Sequence, residues 1–396
     1  MISYAEALTL ILREAHGFGT EKITLEKSFG RVLAEDVRAD RDYPPFNRSA
    51  MDGFAVHAAG LSQGKEYPIV GTIFAGDKVA KKPYAAGTSV KIMTGAALPP
   101  GFDAVVRKED AIAENGLVRF STGALQRWHN VSVMGEDLKR GTALSLAGSV
   151  IDRSAVTTLA SLGVTRPLVK KLPRVAILTT GDEIVPPGRK PQAQQIRNSN
   201  IFALRALLAA FGIEKVVAKH AADNEAALTA ALRSVLGADI VLLTGGVSAG
   251  DADYVPGILT KLKVKEVFHK TAIKPGKPLW FGTRGKTLVF GIPGNPWSSQ
   301  VVFKIYIEPY LCHAFGMEPP LRLSLPLAKE RNKKDTLQHF FPVRVTNRSG
   351  SASELEALSF NGSGDIRAGL GSDGLAVHPA HKKELKRGDI VEFIPW

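Results

Sequence analysis

The chain of 396 residues exceeds what one simple core supports and predicts about two to three domains at roughly 150 residues each. Its 44% hydrophobic and 22% charged residues are the balance of a soluble globular protein and exclude a disordered or fibrous chain. A formal net charge of +13 favours anionic partners, and the single cysteine, Cys312, excludes intramolecular disulfides and cysteine-built zinc or iron–sulfur centres, which suits a cytoplasmic home. The first residues carry Glu6, Arg13 and Glu14 without a basic leader, so they do not read as a signal peptide. No uncharged apolar run approaches membrane-spanning length.

Ser3 and Glu6 make a capping-box pattern, and Ala7, Leu8, Ile11, Leu12 and Ala15 follow at helical spacing, which predicts an opening amphipathic helix up to Gly17. From about Tyr43 to Asp137, short β-rich runs broken by Gly and Pro, such as 67–74, 88–94 and 103–108, predict an inserted β domain. The stretch 138–167 reads as one strand-like piece and one helix ending at Gly163. Beyond Pro173 strand and helix alternate: strand 175–179, helix 199–211, strand 216–220, helix 224–236 and strand 240–244. Strands 279–281 and 288–292 and a long amphipathic helix over 296–315 follow, and the alternation predicts a doubly wound α/β layer. From about Glu318 the chain is β-like and basic, which predicts a small C-terminal β domain. The expected organisation is 1–43 with 138–170, then 44–137, 171–317 and 318–396.

In an open α/β sheet, ligands bind beyond the carboxyl ends of the strands. Strand 175–179 runs into Thr180-Gly181-Asp182-Glu183, and strand 240–244 runs into Gly245-Gly246-Val247-Ser248-Ala249-Gly250-Asp251-Ala252-Asp253. The glycines let backbone N–H groups close on an anion, with phosphate the natural ligand. Asp251 and Asp253, at the mouth of that loop, either hold Mg²⁺ or cap the next helix. Lys274-Pro275-Gly276-Lys277-Pro278 sets two lysines on a proline-stiffened turn, as anion ligands or as a solvated pair. The loop from Gly291 through Pro293 to Pro296 opens the long helix, and Asp223 reads as the N-cap of helix 224–236. In the inserted domain, Asp52 and Thr94 follow apolar neighbours in ordered loops.

Several other chemistries fail their context. Gly369 to Gly374 matches G-x-G-x-x-G, but no buried strand precedes it, so the dinucleotide reading fails. Neither G-x-x-x-x-G-K-[ST] nor H-E-x-x-H occurs, and His378 and His381 flank Pro379 in a basic stretch. The basic runs 329–334 and 382–387 read as solvated faces rather than nucleic-acid patches, since no aromatic platform interleaves them, and Cys312 reads as an inert packing residue.

Taken together, "PPFNRSAMDGFAV", "IMTGAALPPGFDAVV", "GEDLKRG", "LASLGV", "LTTGDEIV", "IRNSN", "LLTGGVSAGDADYV", "KPGKP" and "GIPGNPWSS" resemble the MoeA family of molybdopterin molybdenumtransferases, related to the E domain of gephyrin. The motifs run in the family's order over nearly the whole chain. The resemblance implies a multi-domain α/β plus β fold: an elongated protomer with a MogA-like α/β domain, an inserted β-rich domain and a C-terminal β-barrel-like domain. It implies a homodimer with the active site between protomers. The implied reaction is attack of molybdate on adenylylated molybdopterin, helped by Mg²⁺, with release of AMP. A molybdopterin adenylyltransferase would donate the substrate, and neither nucleic acid nor membrane is an expected partner. By the same resemblance Asp52 and Thr94 match active-site positions of the inserted domain. Glu183, Asp223 and Asp253 match the acidic positions of the cleft, Lys274 and Lys277 the cationic ones. Pro293 and Pro296 match the pocket loop, and Asp137 another functional position. Gly245, Gly246, Ser248 and Gly250 are expected to bind substrate, and Asp251, Asp253 and Glu183 to place Mg²⁺.

Three positions depart from the family's pattern. Ser132 stands where arginine is usual, Asp251 where glutamate is also common, and Trp297 where a small aliphatic residue is usual, which is expected to remodel the pocket rim. The alternatives are a paralogue preferring tungstate and a non-catalytic dimeric binding scaffold of the same fold. The converging charges at Asp52, Glu183, Asp253, Lys274 and Lys277 favour the enzyme.

Overall fold

Ser3 accepts a hydrogen bond from the Glu6 N–H at 3.1 Å and starts the helix Tyr4–Arg13, as the capping pattern requires. In the computed structural model the described residues are 1–79, 81–246, 254–346 and 353–396. They divide into two units, one of Met1–Glu35, Ala147–Ser154 and Arg166–Trp396, the other of Asp36–Leu146 and Ala155–Thr165. Among the described residues no helix is long and apolar enough to cross a membrane.

The first unit is built on a six-stranded sheet. Val175–Thr180 lies between Val216–Ala221 and Ile240–Thr244, which in turn pairs with Thr287–Ile292, all in parallel. Trp280–Arg284 and Lys265–His269 extend it as antiparallel strands, so the expected doubly wound layer carries a mixed edge. Successive residues of the buried strands feed opposite faces. Val175, Ile177, Ile240, Leu242, Leu288 and Phe290 join Leu204 and Leu208 in one core, whereas Ala176, Leu178, Val241, Leu243 and Val289 join Leu228, Leu232, Ile258 and Leu259 in the other. The helix expected after the glycine loop is Val255–Lys261, whereas the strand Lys265–His269 is not among the expected elements. The strand sits at the sheet edge with two exposed charges, which hides its apolar period.

Two helix expectations are corrected. The stretch 296–315 is not amphipathic: Pro296–Val302, a π-helical Phe303–Ile307 and Glu308–Phe315 are buried on nearly every side. Pro309 has no N–H to give the helix ladder, and the Glu308 N–H donates instead to Phe303 O, five residues back. The two charges of the helix are satisfied locally, Lys304 Nζ donating to Glu308 Oε1 at 2.6 Å. The N-cap of Glu225–Val235 is Asn224, whose Oδ1 accepts from Ala227 N at 2.9 Å, and not Asp223. Asn224→Ala is therefore expected to cost about 1 kcal/mol in urea unfolding, and Asp223→Ala close to nothing. Equal losses would contradict the cap.

The C-terminal strands close toward a barrel. Glu354–Ala357, Gln338–Thr346, Gly374–His378, Ile390–Pro395 and Leu323–Pro326 pair in that order, and Leu327 bridges back to Leu355. Phe341, Val343, Leu355, Leu385, Val391 and Phe393 fill it. Ile273–Lys274 joins this sheet in parallel with Gln338 and His339, which brings the lysine turn against the barrel.

In the second unit, Ala104–Arg107, Gly53–Val56, Ser89–Ile92, Glu66–Ile73, Leu117–Phe120 and Ala111–Glu114 form one sheet between two apolar cores. A Cβ at Gly53 would lie 1.9 Å from Val106 O, so only glycine lets these strands approach.

Candidate active site

The carboxyl ends of the parallel strands gather Thr180–Glu183, Thr244–Gly246 and the loop Pro293–Pro296 around a cavity of about 750 Å³, lined also by Asn198, Ser199 and Asn200. Asn198 Nδ2 donates to Thr179 Oγ1 at 2.9 Å, and Asn200 Nδ2 to Gly294 O at 2.6 Å, so the polar triplet at the start of the helix Asn200–Ala209 ties the strand ends to the loop. Gly181 has φ +134°, and a Cβ there would lie 2.6 Å from Glu183 Oε2, so the turn that folds Glu183 back needs glycine. Asp223 joins this end of the sheet, its N–H donating to Asp182 Oδ1 at 3.1 Å. Partial burial, then the charges of Glu183 and Asp182, raise its carboxyl pKa against the pull of the Thr180 hydrogen bond.

At the start of the glycine loop the Gly245 N–H donates to Ile292 O at 3.4 Å, which ties the loop to the neighbouring strand end. Gly245 and Gly246 have φ of +90° and +66°, and a Cβ on Gly245 would lie 2.8 Å from Thr180 Oγ1. Ser248, Gly250, Asp251 and Asp253 lie outside the described residues. Among the described residues no group of three or more His, Cys, Asp or Glu side chains forms a metal-holding cluster.

On the other side of the Pro293–Asn295 loop is a second cavity, of about 710 Å³, lined by Lys274, Lys277, Arg331, Lys333, Lys334 and Asp335 among others. The basic run 329–334 is therefore no solvated face at Arg331 and Lys333; Lys333 is 7% exposed and donates to Ala380 O at 3.1 Å and to Leu337 O. Arg331 lies 4.2 Å over the Phe341 ring. Its Nη1 donates to His378 Nδ1 at 2.9 Å and its Nη2 to His339 Nδ1 at 3.3 Å. His339 Nε2 reaches Asp335 Oδ1 at 2.6 Å, and Lys274 Nζ donates to Asp335 Oδ2 at 3.2 Å. Partial burial pushes the Asp335 carboxyl up, but the His339 and Lys274 hydrogen bonds outweigh it and take the pKa down to about 2.

Burial, then the charges of Arg331 and Lys333, hold the His378 imidazole down at about 4, against an ordinary value of 6.5. Between those values the unfolded chain binds more protons than the folded one. The contribution is fully present above pH 6.5 and is lost as the pH falls toward 4. His378→Asn is expected to flatten this dependence by up to about 1.4 kcal/mol per pH unit in urea unfolding. An unchanged slope would show that the imidazole is not held neutral.

In the second unit, Asp52 and Thr94 come together because Gly53 pairs with Ile92. Asp52 Oδ1 accepts from both the N–H and the Oγ1 of Thr94, each at 2.8 Å. These bonds hold its carboxyl pKa below the usual range, with Lys108 Nζ 4.0 Å away as a lesser help. Asp137 is exposed, and its N–H donates to Tyr43 O at 3.1 Å.

Residues 2–163 match the family model described as the MoeA N-terminal region (domain I and II), 176–313 the probable molybdopterin binding domain, and 324–396 the MoeA C-terminal region (domain IV). The chain belongs to the MoeA family. Among similar MoeA relatives, a molybdopterin molybdenumtransferase of Synechocystis is 33% identical over 401 residues and covers 100% of both chains. One of Haemophilus influenzae is 32% identical over 386 residues, covering 95% of this chain and 94% of the other. The crystal structure of a molybdopterin biosynthesis MoeA protein from Pyrococcus horikoshii superposes with a TM-score of 0.83 at 28% identity, covering 100% of this chain and 99% of that one. The multi-domain α/β plus β architecture is that of MoeA.

Arg331, Lys333, Asp335, His339 and the Asn198–Asn200 triplet are site-lining residues that the sequence reading missed. A signal existed for the first three: Arg331, Lys333 and Asp335 alternate with period two, placing them on one side of an extended segment. Trp297 is corrected as well: it is fully buried, packed on Phe360 and Trp396, and lines neither cavity.

Proposed function

We propose that this protein transfers molybdenum from molybdate to adenylylated molybdopterin, releasing AMP. The observation that carries this reading is the pair of cavities on either side of the Pro293–Asn295 loop, one cationic and one at the strand ends. Both reactants are anions, and two sites sharing one loop suit two anions that must meet. Lys274, Lys277 and Arg331 hold the oxyanion, with Lys274 positioned by Asp335 and Arg331 by His378 and His339 before it arrives. Thr180, Asn198, Ser199 and Gly245 line the space for the adenylylated pterin. Gly246, Ser248, Gly250, Pro293, Pro296 and Asp137 take part in substrate binding on the same reading. Asp52, held by Thr94, orients the substrate from the inserted domain of the partner in a homodimer. The four-part organisation 1–43 with 138–170, 44–137, 171–317 and 318–396 belongs to the same reading, as do a cytoplasmic location and an adenylyltransferase as substrate donor.

Glu183 and Asp223 bring hard carboxylate oxygens to this end of the sheet, which suits Mg²⁺; partial burial first, and then the charges of Glu183 and Asp182, raise the Asp223 pKa, and a bound cation would offset both. Glu183 with Asp251 and Asp253 would hold the ion. Bound there, the ion would supply positive charge against the phosphate. Turnover measured with molybdate and tungstate in parallel, with and without Mg²⁺, tests the reading: molybdate- and Mg²⁺-dependent AMP release supports it. A folded protein silent with both oxyanions would overturn it in favour of a scaffold.

A further inference from the structure

We propose that His378 and His339 are positioning residues of the oxyanion cavity, neutral imidazoles that hold the Arg331 guanidinium in place by accepting its hydrogen bonds. The inference rests on the reading of that cavity given above. His378 Nε2 lies 3.0 Å from Lys382 O, which only accepts, so Nε2 carries the proton and Nδ1 is left with a lone pair. Arg331 has donors alone, and its Nη1 meets that lone pair at 2.9 Å. His339 repeats the logic: Nε2 faces Asp335 Oδ1 at 2.6 Å, and Nδ1 faces Arg331 Nη2 at 3.3 Å.

The chemistry of the partners decides what this arrangement is for. A buried arginine is ordinarily held by a carboxylate, which fixes its plane and also cancels its charge. Here the two groups bonded to the guanidinium are uncharged, and the acid, Asp335, stands behind one of them and pairs with Lys274. Phe341 fixes the plane of the fork from its face. Arg331 is thus oriented without losing its positive charge, which remains for an anion in the cavity it lines. The charged and titratable groups facing His378 are Arg331, Lys333 and His339, and those facing His339 are Asp335, Arg331, Lys274 and His378. A proton on either Nδ1 would put two donors and two like charges together.

The test is molybdate binding by isothermal titration to the full chain and to Arg331→Gln, His378→Phe, His378→Asn and the Arg331→Gln/His378→Phe double variant. Arg331→Gln and His378→Phe are each expected to weaken binding about 10-fold or more, and His378→Asn, which keeps an acceptor near Nδ1, by less than about 3-fold. In the Arg331→Gln background His378→Phe should change nothing further. If His378→Phe weakens binding as much without Arg331 as with it, or not at all, the positioning role is overturned while the cavity reading stands. If the native chain does not bind molybdate, or Arg331→Gln binds as tightly as the native chain, the cavity reading falls and this inference with it. Should His378→Phe fail to fold, nitrogen-15 spectra of the native histidine rings serve instead. Protonated Nε2 with bare Nδ1 near neutral pH is expected at both His378 and His339, and a cationic ring or a protonated Nδ1 would overturn the assignment.

Discussion

Lys277→Ala is expected to lower the rate of molybdenum insertion about 100-fold or more while leaving the fold intact. The backbone of this turn is fixed from below: a Cβ on Gly276 would lie 2.8 Å from Val302 and 2.9 Å from Ile273, and the Lys277 carbonyl accepts from Thr271 N at 2.9 Å. The side chain itself is exposed and lines the cationic cavity, so its loss should move stability by less than about 0.5 kcal/mol. What disappears is one pre-placed charge beside the anions, worth about 3 to 4 kcal/mol where such donors have been removed from other active sites. Steady-state rates against molybdate, beside thermal unfolding, measure both quantities. A rate within about 3-fold of the native value would contradict the assignment of the oxyanion to this cavity.

The second large effect concerns stability. Trp297→Ala is expected to cost about 3 to 5 kcal/mol, the range for emptying a buried aromatic site. Trp297 is 0% exposed; its ring centroid lies 5.9 Å from that of Trp396 and 6.3 Å from that of Phe360. Gly369 is the other half of this packing, since a Cβ there would lie 2.8 Å from Trp297 Cζ3. Gly369→Ala alone should therefore cost about 1 to 3 kcal/mol through overpacking. Combined with Trp297→Val, which vacates the space, it should cost less than the sum of the two single changes. Urea midpoints of the four proteins read this directly, and strict additivity would show that the two residues do not share the site. The pairing also explains the first glycine of the apparent dinucleotide motif. The last, Gly374, has its own reason, because a Cβ there would lie 2.2 Å from Ile394 O.

The α/β layer could be read from the sequence because its buried strands are continuous apolar runs that alternate with helical segments. Four features escaped for physical reasons. Asp223 and Asn224 are adjacent and both suit an N-cap, and only backbone geometry distinguishes them. The π-helical turn before Pro309 shifts the helical period, so the residues that appeared polar on one face are buried and paired. Arg331 and Lys333 sit in a charge run that composition assigns to solvent, whereas the parallel pairing of Ile273–Lys274 with Gln338–His339 brings them to the lysine turn. The Asp52–Thr94 contact depends on strand register across about 40 residues, so the residues alone marked only two ordered loops. Both positions came instead from the resemblance to MoeA, as did the roles of the cleft carboxylates.

In the proposed reaction one oxyanion is consumed for each AMP released. Measuring AMP and cofactor-bound molybdenum on the same sample, from adenylylated molybdopterin with and without molybdate, tests it most directly. Equal amounts of the two are expected with molybdate, and no AMP without it. AMP released at the same rate without molybdate, or with no molybdenum retained on the product, would contradict it.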